Sequence, residues 1–163
     1  MNPKNRPESS SLRPTSYSLI RDKDSFTFTT DKGAIYKITF TQDAEYIDYL
    51  PFADDVYSFV LEQTSGEYKG RDLRMKQTVI ETLGRFFENL PQAVIIYNCS
   101  QENDHEKTRY DLFNRWFDEF GDEYDKVNYS DLESREYASA IFRKDHPQRR
   151  LIEPAFNKVF REK

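Results

Sequence analysis

The chain has 163 residues, a formal net charge of -5, 33% charged residues and 15% aromatic residues, which is room for one domain with a core built from rings rather than aliphatic side chains. The acidic balance argues against nucleic-acid binding, which rests on basic side chains neutralising phosphates, and no window approaches the run of about 20 apolar residues that spans a bilayer. One cysteine excludes an intramolecular disulfide, and one cysteine with two histidines cannot close a Cys/His zinc site.

Residues 1–15 carry Pro3, Pro7, Pro14 and three consecutive serines without apolar periodicity, and are expected to form a flexible tail ahead of one domain over 16–163. The charged first residues have no apolar run behind them, so no secretory leader is read and a cytoplasmic protein is expected. Tyr17 to Ile20 reads as a short strand. Ser25 to Thr30 and Ala34 to Thr41 alternate aromatic or β-branched residues with polar ones, the period of two that marks strands. Asp31-Lys32-Gly33 joins them as a tight turn, with Gly33 free to take a positive φ. A connection over 43–55 contains Pro51, and Tyr46, Ile47 and Tyr49 suit a short helical turn. Val56 to Leu61 is the next strand, and 64–71 reads as a glycine-containing loop.

Asp72 is placed to cap a helix whose stripe is Val79, Ile80, Leu83, Phe86, Phe87 and Leu90, and Pro91 stops it. The strand over 93–98 is apolar on both sides at Val94, Ile95 and Ile96, which places it centrally in the sheet. A helix over about 104–120 carries Phe113, Trp116, Phe117 and Phe120, with Gly121 as its C′ residue. Residues 122–135 read as a polar connection, Tyr137 to Phe142 as the last strand, and Leu151 as the opening of a final helix with Ile152, Ala155, Phe156, Val159 and Phe160 buried. The order predicts an α+β domain: a mixed, mostly antiparallel sheet of about five or six strands with three helices packed on one face.

The Phe26 to Gly33 hairpin, the strand end Ile96-Tyr97-Asn98-Cys99-Ser100 and the segment Leu112-Phe113-x-Arg115-Trp116-Phe117 resemble a small family of bacterial proteins known as a domain of unknown function. The resemblance covers roughly residues 17–162 and implies a bacterial cytoplasmic origin. It carries no activity, substrate or cofactor with it.

Chemistry concentrates thinly. Cys99 ends a central strand just before a helix, where ligands gather in mixed sheets and a helix N-terminus lowers a thiol pKa. With His105 as base and Arg109 as anion ligand it would form a nucleophilic site. The commoner role of such a cysteine is a small buried apolar residue. Asn98 and Ser100 flank it, either lining a polar pocket or capping the turn. Arg115 is expected to pair with Asp111 or Glu119, four residues away on either side. The acidic group Asp118, Glu119, Asp122, Glu123 and Asp125 lacks the spacing of a calcium loop. Arg143, Lys144, Arg149 and Arg150, with His146 and Gln148 between them, form a basic run suited to an anion, but without the aromatic platform of single-strand binders. No phosphate loop, dinucleotide fingerprint, nucleophile elbow or His-Glu-x-x-His motif occurs. The expected function is therefore a non-catalytic protein-binding or regulatory module, with an unidentified protein partner, no membrane, and no metal or cofactor. The alternatives are a small enzyme using Cys99 on an anionic substrate, and weak nucleic-acid binding through Arg143 to Arg150.

Overall fold

The structure, a computed structural model, describes residues 15–43, 50–67, 72–99, 106–119 and 122–161, with the backbone alone at Cys99 and over 106–109. Strands β1 (Ile20–Asp22), β2 (Ser25–Thr29), β3 (Ile35–Gln42) and β4 (Val56–Ser65) are followed by α1 (Leu73–Asn89), β5 (Val94–Cys99), α2 (Glu106–Asp118), β6 (Tyr124–Asp131), β7 (Glu136–Arg143) and α3 (Arg149–Arg161). The strands form one seven-stranded sheet in the order β1-β2-β3-β4-β5-β7-β6. Only β4 and β5 pair in parallel; the other pairings are antiparallel. The α1 segment supplies the crossover that a parallel neighbour requires. The α+β class and the mixed, mostly antiparallel sheet thus stand, with seven strands in place of five or six.

Local chemistry explains the frame. Gly33 takes φ +86° at the β2–β3 turn, where the Thr30 amide donates to the Ala34 carbonyl at 2.8 Å and Thr30 Oγ1 accepts the Ala34 amide at 3.0 Å. Asp72 caps α1, its Oδ1 accepting from the amides of Arg74 (2.9 Å) and Met75 (3.1 Å). Met75, Val79, Leu83 and Phe87 are the buried stripe of that helix, and it ends before Pro91.

Two cores lie on the two sides of the sheet. On one, Phe28, Tyr36, Ile38, Phe40, Phe59, Ile95, Tyr97, Tyr137 and Ile141 meet α1 and the α2 residues Tyr110 and Phe113. On the other, Val56, Val94, Ala138, Ala140 and Phe142 meet Ile152, Ala155, Phe156 and Phe160 of α3. The expectation of three helices on one face is therefore corrected: α1 and α2 cover one face and α3 the other. The reason lies in β7, where residues 137–142 are buried without a break, so both of its sides need cover. A helical stripe tells that a helix packs, not on which side.

The second correction is β6. Residues 122–135 are not simply a polar connection, because 124–131 form the outermost strand, with Val127 and Tyr129 turned to the α3 side and Tyr124 to the α1 side. Three smaller boundaries also move. The first strand is 20–22 rather than 17–20, β4 runs on to Ser65, and α3 opens at Arg149 rather than Leu151. The expected tail up to residue 14, the turn at Tyr46 to Tyr49 and the helix end at Phe120 and Gly121 lie outside the described residues. Along β2, β3 and β4, the side that would continue the α3 layer carries Thr27, Thr29, Lys37, Thr39, Val60 and Glu62, and no described helix covers it.

Candidate functional site

Asn98 is exposed at the C-terminal end of β5, opposite Ala138, and the Cys99 backbone pairs with Tyr137. Ser100 and His105 lie outside the described residues, as do the side chains of Cys99 and Arg109. What borders that strand end is aromatic: Tyr110 lies 5.3 Å from Tyr137, and Tyr97 stacks on Phe113 at 4.2 Å.

The basic run sits where β7 turns into α3, around an open groove of about 490 Å³ lined by Lys144 to Leu151. Half of its charge is already matched. Arg143 holds Asp145 through two bonds of 3.0 and 3.2 Å, keeping that carboxyl below its usual range, and Arg149 pairs with Asp125 at 2.8 Å. Lys144 and Arg150 are exposed. His146 is buried between Phe52 and Phe142, with Nε2 at 2.7 Å from the Gln92 carbonyl and Nδ1 accepting the Gln148 amide at 2.9 Å. Both ring nitrogens are thus engaged in fixing the loop, a structural role.

A second groove lies elsewhere, between the first turn of α1 and the last turns of α2. Asp72, Leu73, Met75 and Lys76 face Leu112, Arg115, Trp116 and Glu119 across a groove of about 140 Å³. Leu112, Arg115, Trp116 and Glu119 recur at i, i+3, i+4 and i+7, one side of α2 and of the turn that follows it. Their neighbours Tyr110 and Phe113 go to the core instead. Leu73, Met75, Leu112 and Trp116 give the groove an apolar lining, with Met75 buried, Leu73 52% exposed at the mouth and Trp116 partly buried against the core.

The charges around it are unevenly engaged. Lys76 and Glu119 form an ion pair across the two helices. Asp72 caps α1 with one oxygen and accepts the Tyr17 hydroxyl on the other at 2.7 Å. Burial and this bond to Asp72 push the Tyr17 phenol up, so it remains a donor. Arg74 lies 4.1 Å over the Tyr17 ring, pairs with Asp31 at 2.8 Å and donates to the Thr15 carbonyl at 2.7 Å. Arg115 is exposed and makes no ion pair among the described residues, so its expected pairing with Asp111 or Glu119 is not formed; Lys76 takes Glu119. Behind α2, the Lys126 amine donates to Asn114 and lies 5.1 Å over the Phe117 ring, and burial lowers its pKa to about 8.

The segment 112–117 stands out in the sequence, where its rings read as a single core stripe. The signal for a groove was the pair Leu112 and Arg115 flanking that stripe. Its other wall, and the Tyr17–Asp72–Arg74–Asp31 network behind it, join residues distant in the chain and left no local signature. Among the described residues no group of three or more His, Cys, Asp or Glu side chains is arranged to hold a metal, and no helix is long and apolar enough to cross a membrane.

Residues 71–158, more than half of the chain, match the model of a family described as a family of unknown function (DUF6169). Among curated proteins none matches.

Proposed function

The chain belongs to this family of unknown function, DUF6169, and from that premise we propose that it is a non-catalytic protein-binding or regulatory module of the bacterial cytoplasm that docks a partner in the groove between α1 and α2. The observation that carries this reading is the fate of the segment 112–117: Leu112, Arg115 and Trp116 turn to the groove although the core beneath them takes rings. Support comes from position as well, because every residue lining the groove falls within the matched span. Arg115, which makes no ion pair among the described residues, lines the groove together with the Trp116 indole. Tryptophan and arginine are the residues that dominate protein interfaces.

The test is affinity capture of the full chain from its native host, run beside the variants Arg115→Glu and Leu73→Glu. Both positions are exposed, so the fold is expected to survive the changes. A specific partner held by the wild type and reduced tenfold or more in each variant is the expected result, in the range of an interface anchor at about 1.4 kcal/mol or above. Retention of the same partner by both variants rejects the groove as the docking site. Turnover of a substrate by the purified chain, abolished in Cys99→Ala, rejects the non-catalytic reading.

A further inference from the structure

Resting on that reading of the groove, we infer that its occupant is an acidic peptide segment presenting one large apolar side chain, the side chain seated among Leu73, Met75, Leu112 and Trp116 and a neighbouring carboxylate held by Arg115. Size argues first. At about 140 Å³ the groove falls short of the roughly 300 Å³ where small-molecule pockets begin, and resembles the roughly 150 Å³ cavities that accept a single benzene ring. One aromatic or branched side chain fits it. An indole face and a flexible thioether are suited to receive a ring.

Charge argues second. The Arg74 and Met75 amides at the start of α1 already bond the Asp72 carboxylate, so those two donors are taken from an outside anion. Lys76 is matched by Glu119 and Arg74 by Asp31. Of the charged groups lining the groove, Arg115 alone has no bond to make within the described residues, and its planar fork matches a carboxylate. A basic segment would bring its charge against that guanidinium while the acids at the rim are already engaged. The mouth argues third. Leu73 stands 52% exposed beside the cavity and offers an apolar ledge to the residues flanking the inserted side chain, which a free small acid would not use.

Trp116 is the only tryptophan in the chain, so its emission reports occupancy directly. The experiment titrates the full chain with the capped peptide Gly-Glu-Phe-Glu-Gly, with the peptides Gly-Lys-Phe-Lys-Gly and Gly-Glu-Ala-Glu-Gly, and with phenylpropionate. A saturable change with the first peptide, half complete below about 1 mM, is expected, with at least tenfold weaker response to the other three. In Arg115→Gln the first peptide should weaken about tenfold, and in Arg115→Glu the preference should pass to the lysine peptide, which a merely structural arginine would not produce. Equal or tighter binding of the lysine peptide by the wild type overturns the charge assignment. Phenylpropionate binding as tightly as the acidic peptide overturns the peptide in favour of a small carboxylate. The absence of any saturable change overturns the inference. If that absence coincides with a captured partner that depends on Arg115, the docking reading stands and only its chemistry falls. If capture is also indifferent to Arg115, both fall.

Discussion

Lys126 lies on the outermost strand with its amine over the Phe117 ring and a single neutral acceptor, Asn114. A charge turned inward from an edge strand discourages a further strand from adding, which gives a reason for its position. That position destabilises the fold at neutral pH. Burial lowers the pKa from 10.5 to about 8, with Asp118 opposing. Below the folded value the amine is charged in both states and the burial penalty is complete. Between about 8 and 10.5 the unfolded chain holds the extra proton, so stability rises with pH across that window. Access of water to this half-buried site reduces the penalty to about 1 kcal/mol. Lys126→Met should therefore be more stable than the wild type by about that amount at pH 7, with the gap closing toward pH 10. The Tyr17 and Tyr124 phenols, both held above their usual range, remain in both proteins and cancel in the difference. Urea unfolding of both proteins at the two pH values checks this; a gap that does not change with pH would refute it.

The start of α1 is fixed by an element-level device, in which the cap residue is itself held from the entering chain. Tyr17 donates to Asp72, its own amide donates to Thr78 at 2.8 Å, and its ring stacks on Phe28. Asp72→Ala should cost about 2 kcal/mol, a cap and a buried partner together, and Tyr17→Phe about 1 kcal/mol. Because both remove the same bond, the double variant should fall short of their sum by about 0.5–1 kcal/mol in chemical denaturation; strict additivity would show that the two are not coupled. The cap itself was legible, since an aspartate precedes a helical stripe that a proline ends. So were the β2–β3 hairpin, through its alternation and Gly33, and the central place of β5, through its unbroken apolar run. β6 was not, because only Tyr124, Val127 and Tyr129 of its eight residues are apolar, and an edge strand needs no more. The groove was not legible because it depends on which carboxylate takes which cation: the helical spacing offers Glu119 to Arg115, and the neighbouring helix supplies Lys76 instead. The expected Cys99–His105–Arg109 arrangement falls where the side chains are outside the described residues, so the sequence remains its only basis.

At the scale of the molecule, β5 and β7 carry both cores. Ile95, Tyr97, Tyr137 and Ile141 face α1 and α2, while Val94, Ala138, Ala140 and Phe142, alternating with them, face α3. Loosening either side therefore loosens strands that the other side needs, and the two cores should unfold as one. Phe156, 5% exposed and 4.7 Å from Phe160, anchors the α3 side, and Trp116 reports from the opposite face. Phe156→Ala removes a buried ring and should cost about 3–5 kcal/mol. The informative quantity is where that loss is felt. In a single cooperative unit the denaturation midpoint read from Trp116 emission falls together with the midpoint read from far-ultraviolet circular dichroism. Val60→Ala, at a 45% exposed position on the uncovered side of the meander, should change the stability read by either probe by less than about 0.5 kcal/mol. A Trp116 midpoint that stays at its wild-type value while dichroism is lost earlier would mean that the α3 layer unfolds alone, and that the sheet does not couple its two faces.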